Sequence, residues 1–129
     1  MNNTEIIILA AGKGTRMNAE VPKVLVELGS QSMISYVLNA VSNTAFNTPV
    51  IVVGYEAQQV KDYCGDMYSY ILQEEQKGTG HAVLVAQDAL AENASSVVVV
   101  YGDQPFVTSD TLTKMAEPLK TDGTLVLAT

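Results

Sequence analysis

The sequence has no tryptophan, one histidine, one cysteine, and only 7 basic residues against 14 acidic ones. Each shortage excludes something. A lone thiol, Cys64, makes no internal disulfide, so a reducing, cytoplasmic compartment is expected. A formal net charge of −7 is a poor electrostatic match for nucleic acid or an anionic membrane surface. No apolar run approaches the ~18 residues of a membrane span. The start, Met1-Asn2-Asn3-Thr4-Glu5, lacks the basic and apolar stretches of a signal peptide. Internal repeats, low-complexity tracts and linkers are also missing. What is present is apolar: 47 % of residues against 16 % charged, enough for a packed core in a chain of 129 residues, the size of one domain.

The apolar residues come in two textures. Ile6–Ala10, Val50–Val53, Tyr70–Leu72, Val97–Tyr101 and Leu125–Leu127 are short runs rich in β-branched residues, and four of the five are too apolar for half-exposed strands. Helix-period stretches lie between most of them. Met33, Ile34, Val37, Leu38 and Val41 share one helical face, and Val60, Tyr63 and Cys64 form a weaker one. Ala82, Val83, Ala86, Ala89 and Leu90 form a third. Leu112, Met115, Ala116 and Leu119 form a fourth, with Thr108 or Ser109 as its N-cap and Pro118 as its terminator. This alternation predicts an α/β domain: a Rossmann-like, mostly parallel sheet with helices on both faces and right-handed crossovers. Ligands of such sheets bind beyond the carboxyl ends of the strands, which singles out the loops after residues 10, 54, 72 and 101. The chain stops at Thr129, in or just after a strand-like run. The expectation is a truncated domain with an open sheet edge, through which two copies could pair as a homo-oligomer.

The first of these loops is the most informative. Leu9-Ala10-Ala11-Gly12-Lys13-Gly14-Thr15-Arg16-Met17 follows the first strand, and Pro22-Lys23 comes shortly after. Small residues let backbone N–H groups approach a phosphate closely. Lys13, Arg16 and Lys23 put three of the 7 basic residues into this one segment, a local concentration of positive charge suited to a polyphosphate. The pattern is not a P-loop, because no Gly-Lys-Ser/Thr closes the frame. It is not a dinucleotide fingerprint either, because Met17 stands where a third glycine belongs.

L-A-A-G-x-G-x-R-M followed by P-K resembles the signature loop of the sugar-1-phosphate nucleotidyltransferases. Two further stretches carry the resemblance. Gln73-Glu74-Glu75-Gln76-Lys77-Gly78-Thr79-Gly80-His81-Ala82 looks like the base-reading segment of the uridylyltransferase branch, and Tyr101-Gly102-Asp103-Gln104-Pro105 looks like its metal-binding turn. The chain is most similar to the N-terminal uridylyltransferase domains of the bacterial bifunctional N-acetylglucosamine-1-phosphate uridylyltransferases/glucosamine-1-phosphate acetyltransferases, from about Ile6 to Thr129. The resemblance implies transfer of a nucleotidyl group from UTP to a sugar 1-phosphate with release of pyrophosphate, dependent on Mg²⁺. Cytidylyl- and guanylyl-transferring relatives share the first loop, and a non-catalytic nucleotide-binding fragment is a further alternative. The family's catalytic domain is longer than this chain. Its later part holds most sugar-binding residues, a second metal ligand, and a strand that inserts beside the one after the Asp turn. Leu125–Leu127 is therefore expected to lack its proper neighbour, and the chain alone to be a poor catalyst.

In this scheme Lys23 bridges the reacting phosphates from a turn stiffened by Pro22. Arg16, with Lys13, holds the departing pyrophosphate through the planar fork that bonds phosphate oxygens in pairs. Leu9, Ala10, Ala11, Gly12 and Gly14 offer backbone to the nucleotide. Asp103 is the candidate Mg²⁺ ligand, with a turn or capping aspartate as the alternative, and Gly102 lets the turn run close to the ligand. Gln73, a donor and an acceptor at once, suits the edge of uracil; Gln76 is the weaker candidate of the pair. Gly78 and Thr79 open a helix whose N-terminus favours anionic or polar ligand atoms, and Tyr101 completes the nucleotide-binding set. His81 is expected to be structural or supporting rather than a catalytic base, and Cys64 a packed residue.

Overall fold

The computed structural model describes residues 4–12, 22–75, 77–90, 96–116 and 125–127. In chain order its elements are β1 (Thr4–Ala10), a 3-10 turn (Lys23–Leu25), β2 (Glu27–Leu28), β3 (Gln31–Ser32), α1 (Met33–Ser42), β4 (Val50–Val53), α2 (Ala57–Cys64), β5 (Ser69–Leu72), α3 (Thr79–Ala86), β6 (Ser96–Tyr101), α4 (Ser109–Ala116) and β7 (Leu125–Leu127). Five strands form one sheet in the order β5-β4-β1-β6-β7, and every pairing in it is parallel. β2 and β3 pair antiparallel as a separate hairpin.

The uniformly apolar strands are explained by what covers them. Ile6, Ile8 and Ala10 of β1 point to one face with Ile51, Val53, Val98 and Val100, and there they meet Ile34, Val37 and Val41 of α1, Val60 of α2, and Leu112 and Ala116 of α4. Ile7 points to the other face with Val50, Val52 and Val99, against Ala82 and Ala86 of α3. Burying each Val or Ile on these faces contributes roughly 1.5–3 kcal/mol before entropy. The small residues of α3 let that helix approach the sheet closely. β5 is one of the two edge strands, and its residues are only partly covered.

The helix faces differ in detail from the expected ones. α2 begins at Ala57 and buries only Val60 fully. Tyr63 does not share that face: it is exposed, and its hydroxyl meets the Ser35 hydroxyl at 2.8 Å. Cys64 is half-buried against the first core face, and burial pushes its thiol up to about 11, so it stays protonated at neutral pH. α3 gives way at Ala86 to a 3-10 turn, Gln87–Ala89. Ser32 caps α1 by accepting from the Ser35 amide at 3.3 Å. For α4 the cap is Thr108 rather than Ser109: Thr108 Oγ1 accepts from the Thr111 amide at 3.1 Å. Thr108→Ala is therefore expected to cost about 1 kcal/mol in urea unfolding, and Ser109→Ala only ~0.3 kcal/mol. Pro118 and Leu119 lie outside the described residues.

β7 pairs directly with β6, Val97 opposite Leu125 and Val99 opposite Leu127. That pairing occupies backbone groups that β6 would otherwise present as an open edge. One expectation needs correction: not all crossovers share one hand. β1→β4 and β4→β5 step one way with helices on the first face, and β5→β6 steps back with α3 on the second, which is the same hand. β6→β7 continues the backward step with α4 on the first face, so its hand is opposite. Leu112 and Ala116 pack beside α1 there, which gives the helix an apolar partner. No helix among the described residues is long and apolar enough to cross a membrane.

Candidate functional site

Three chain segments converge where β1, β4 and β6 end. β1 runs out at Ala10, and the register places its Leu9 between Val52 of β4 and Tyr101 of β6. At the exit of β6, the Gly102 amide donates to the Leu9 carbonyl at 2.9 Å. A Cβ on Gly102 would lie 2.9 Å from Val24 Cγ1 and 3.2 Å from that carbonyl oxygen. Glycine is thus required here for close packing. Val24 belongs to the 3-10 turn that follows Pro22, closed by the Leu25 amide on the Pro22 carbonyl at 2.9 Å. Pressing β6 onto this turn brings Lys23 and Asp103 together, with Nζ 3.0 Å from Oδ2. The lysine side chain is 46 % exposed and the aspartate 29 %. A pair this open to water adds at most ~1 kcal/mol to stability, so either partner exchanges readily for a ligand.

The pair stands on one side of a cleft of about 280 Å³. Leu9, Ala11 and Gly12 line it from the end of β1, Lys23 and Val24 from the turn, and Tyr101 and Asp103 from the exit of β6. Gln73, Gly78, Thr79 and Ala82 close the opposite side. Gln73 is 3 % exposed, and its backbone amide donates to the Val53 carbonyl at 2.7 Å. Its side-chain nitrogen donates to the Gly78 carbonyl at 3.3 Å and lies 3.0 Å from His81 Nδ1. The Thr79 and Tyr101 hydroxyls meet at 3.0 Å and tie the first turn of α3 to the end of β6.

Most sequence-predicted residues thus gather at one cleft, although they are up to 94 positions apart (Leu9 to Asp103). Ala10 does not line it; its side chain lies in the first core face, so only its backbone could serve a ligand. Gly102 is buried beneath the cleft. Lys13, Gly14, Arg16 and Gln76 lie outside the described residues, as does Met17. Val24 and Ala82 line the cleft without having been singled out, and small apolar residues inside motifs give little signal of their own.

The arrangement can do specific chemistry. A cation and a carboxylate within contact distance beside a row of small residues suit a polyphosphate that arrives with its own counter-ion. Among the described residues no group of three or more His, Cys, Asp or Glu side chains could hold a metal as a closed cage. Asp103 alone fits Mg²⁺, which keeps much of its water and binds one or two carboxylates together with phosphate oxygens.

The sequence profile of the MobA-like NTP transferase domain matches residues 6–129. The chain belongs to this family. It is therefore a nucleotidyltransferase domain. Bifunctional protein GlmU of Latilactobacillus sakei subsp. sakei (strain 23K) is 49 % identical to it over 115 residues, covering 89 % of this chain and 25 % of that protein. Bifunctional protein GlmU of Staphylococcus carnosus (strain TM300) is 42 % identical over 126 residues, 95 % of this chain and 28 % of that protein. The chain thus spans about a quarter of the length of these relatives. Among solved structures, Rv0371c from Mycobacterium tuberculosis H37Rv shares the fold at a TM-score of 0.78 and 22 % identity, covering 90 % of this chain and 60 % of that one. A UDP-glucose pyrophosphorylase complexed with UDP-glucose does so at 0.71 and 20 %, covering 92 % and 55 %. The Rossmann-like α/β architecture is common to this MobA-like domain and both structures.

Proposed function

We propose that residues 1–129 form the nucleotide-holding part of a nucleotidyltransferase domain that joins UTP to a sugar 1-phosphate, N-acetylglucosamine 1-phosphate, with Mg²⁺ as the cation. The observation that carries this reading is the Lys23–Asp103 pair beside the end of β1, with the Gln73 amide on the far wall of the same cleft. One wall offers charge to phosphates and the other offers hydrogen bonds to a base. The reaction is attack by a sugar-phosphate oxygen on the α-phosphorus of the nucleotide, with pyrophosphate leaving. Two anions must meet, so positioning and charge neutralisation supply the catalysis, and no protein nucleophile is needed. Lys23 holds the phosphates that react, swinging from Asp103 onto their oxygens. Leu9, Ala11 and Gly12 leave room for the nucleotide to lie against the strand end. Asp103 would hold the Mg²⁺, which when bound supplies further neutralisation of phosphate charge. Arg16 and Lys13 add cations for the leaving pyrophosphate.

Titration of the chain with UTP, CTP, GTP and ATP, each with and without Mg²⁺, tests the reading by thermal shift. UTP with Mg²⁺ is expected to raise Tm most. At a hundred times Kd the gain is about 2.7 kcal/mol, or several degrees for a domain of this size. An equal or larger shift with CTP or GTP overturns the uridylyl assignment, and no shift with any nucleotide overturns the cleft as a nucleotide site.

A further inference from the structure

We infer that His81 is a positioning residue that sets the nucleobase preference of the cleft by holding the Gln73 amide in one orientation. The inference rests on the reading that Gln73 meets the base. A carbonyl oxygen can only accept, so the Gly78 carbonyl, 3.3 Å away, fixes which end of the amide is nitrogen. The same nitrogen lies 3.0 Å from His81 Nδ1. Its two hydrogens are then both used, one on each partner, and Nδ1 must be the accepting nitrogen. The imidazole proton accordingly sits on Nε2. What the amide keeps for the cleft is Oε1, an acceptor.

Both partners come from one short piece of chain. Gly78 directly precedes α3, with φ of +96°, and His81 lies in the first turn of that helix. Gln73 is buried, so few water molecules compete for its amide. An amide locked with its acceptor free pairs with an N–H edge such as N3–H of uracil, and opposes the lone pair that cytosine carries at N3. Without the histidine acceptor, only the longer bond to Gly78 orients the amide. It can then turn, and the preference relaxes.

The test compares His81→Phe, His81→Asn and Gln73→Ala with the unaltered chain by calorimetric titration of UTP and CTP in Mg²⁺. Asn can place Oδ1 near the position of Nδ1 and so keeps the acceptor. Loss of one neutral hydrogen bond is expected to narrow the UTP-to-CTP affinity ratio about fivefold in His81→Phe, whereas His81→Asn restores most of it. A nitrogen-15 spectrum of the imidazole is expected to show the proton on Nε2. A ratio unchanged in folded His81→Phe overturns the inference, as does a proton on Nδ1. If His81→Phe does not fold, His81→Asn alone decides: a ratio narrowed about fivefold in it overturns the inference, and a retained ratio with the proton on Nε2 supports it. If the unaltered chain shows no preference for UTP, or Gln73→Ala keeps that preference, the base-reading role of Gln73 falls and the inference with it. A preference that depends on Gln73 but not on His81 removes the inference alone.

Discussion

Asp103→Asn is expected to abolish the Mg²⁺ dependence of UTP binding, lowering affinity in Mg²⁺ by about 10- to 100-fold while leaving metal-free binding as strong as before or stronger. The magnitude is that of one charge-assisted contact, about 1.5–3 kcal/mol. The asymmetry comes from the ion pair. In the structure Asp103 holds Lys23 at 3.0 Å, so the two charges partly cancel beside the cleft. Asparagine frees the lysine for phosphate and removes one negative charge, but it no longer offers a carboxylate to the cation. Lys23→Met should behave differently, weakening UTP by a similar factor with and without Mg²⁺. Calorimetric titrations of both variants with and without Mg²⁺ make the comparison. An equal loss in Asp103→Asn under both conditions would show that this residue acts otherwise than through the cation.

The second large effect is on stability. Gly102→Val is expected to destabilise the domain by about 1–3 kcal/mol in urea unfolding, because a Cβ there meets Val24 Cγ1 at 2.9 Å and the Leu9 carbonyl at 3.2 Å. Neither neighbour yields easily: Val24 is 5 % exposed, and the carbonyl already accepts the Gly102 amide. Val24→Ala should recover part of the loss by removing one of the two obstructions, and coupling between the two sites of 0.5 kcal/mol or more, at roughly the usual size for residues in contact, is the expected signature. Simple additivity would show that the close packing of the β6 exit against the 3-10 turn is not what glycine serves.

Much of this organisation is legible before any coordinates. The buried strands announce themselves because helices cover both faces of the sheet, so Ile6–Ala10 and Val50–Val53 need no polar alternation. The loops that line the cleft follow from the parallel topology. The losses are local. β2 and β3 are two residues each and largely exposed, so the hairpin leaves no apolar period to read. α2 has a single fully buried residue, which is why its start is faint. The placement of α4 depends on its packing beside α1, a tertiary choice invisible along the chain. At the cleft, residue types and spacing identify Lys23, Gln73 and Asp103, but not their partners. That Lys23 reaches Asp103 depends on Gly102 letting two loops close up. That Gln73 reaches His81 depends on where α3 starts. Both are outcomes of folding rather than of composition.

The pairing of β1 with β6 has a consequence for how the cleft can fail. It is the longest ladder in the sheet, with six residue pairs from Thr4–Ser96 to Leu9–Tyr101, against four for each of β1–β4 and β4–β5 and three for β6–β7. Leu9, Tyr101 and Asp103 hang from the end of that ladder. Opening the chain locally at its edges, at β5 or β7, leaves this part of the cleft intact, whereas separating Leu9 from Tyr101 means unzipping the centre of the sheet. The wall formed by Leu9, Tyr101 and Asp103 is thereby tied to the global unfolding of the domain, while the Gln73 wall, suspended from edge strand β5, belongs to a unit that can fray first.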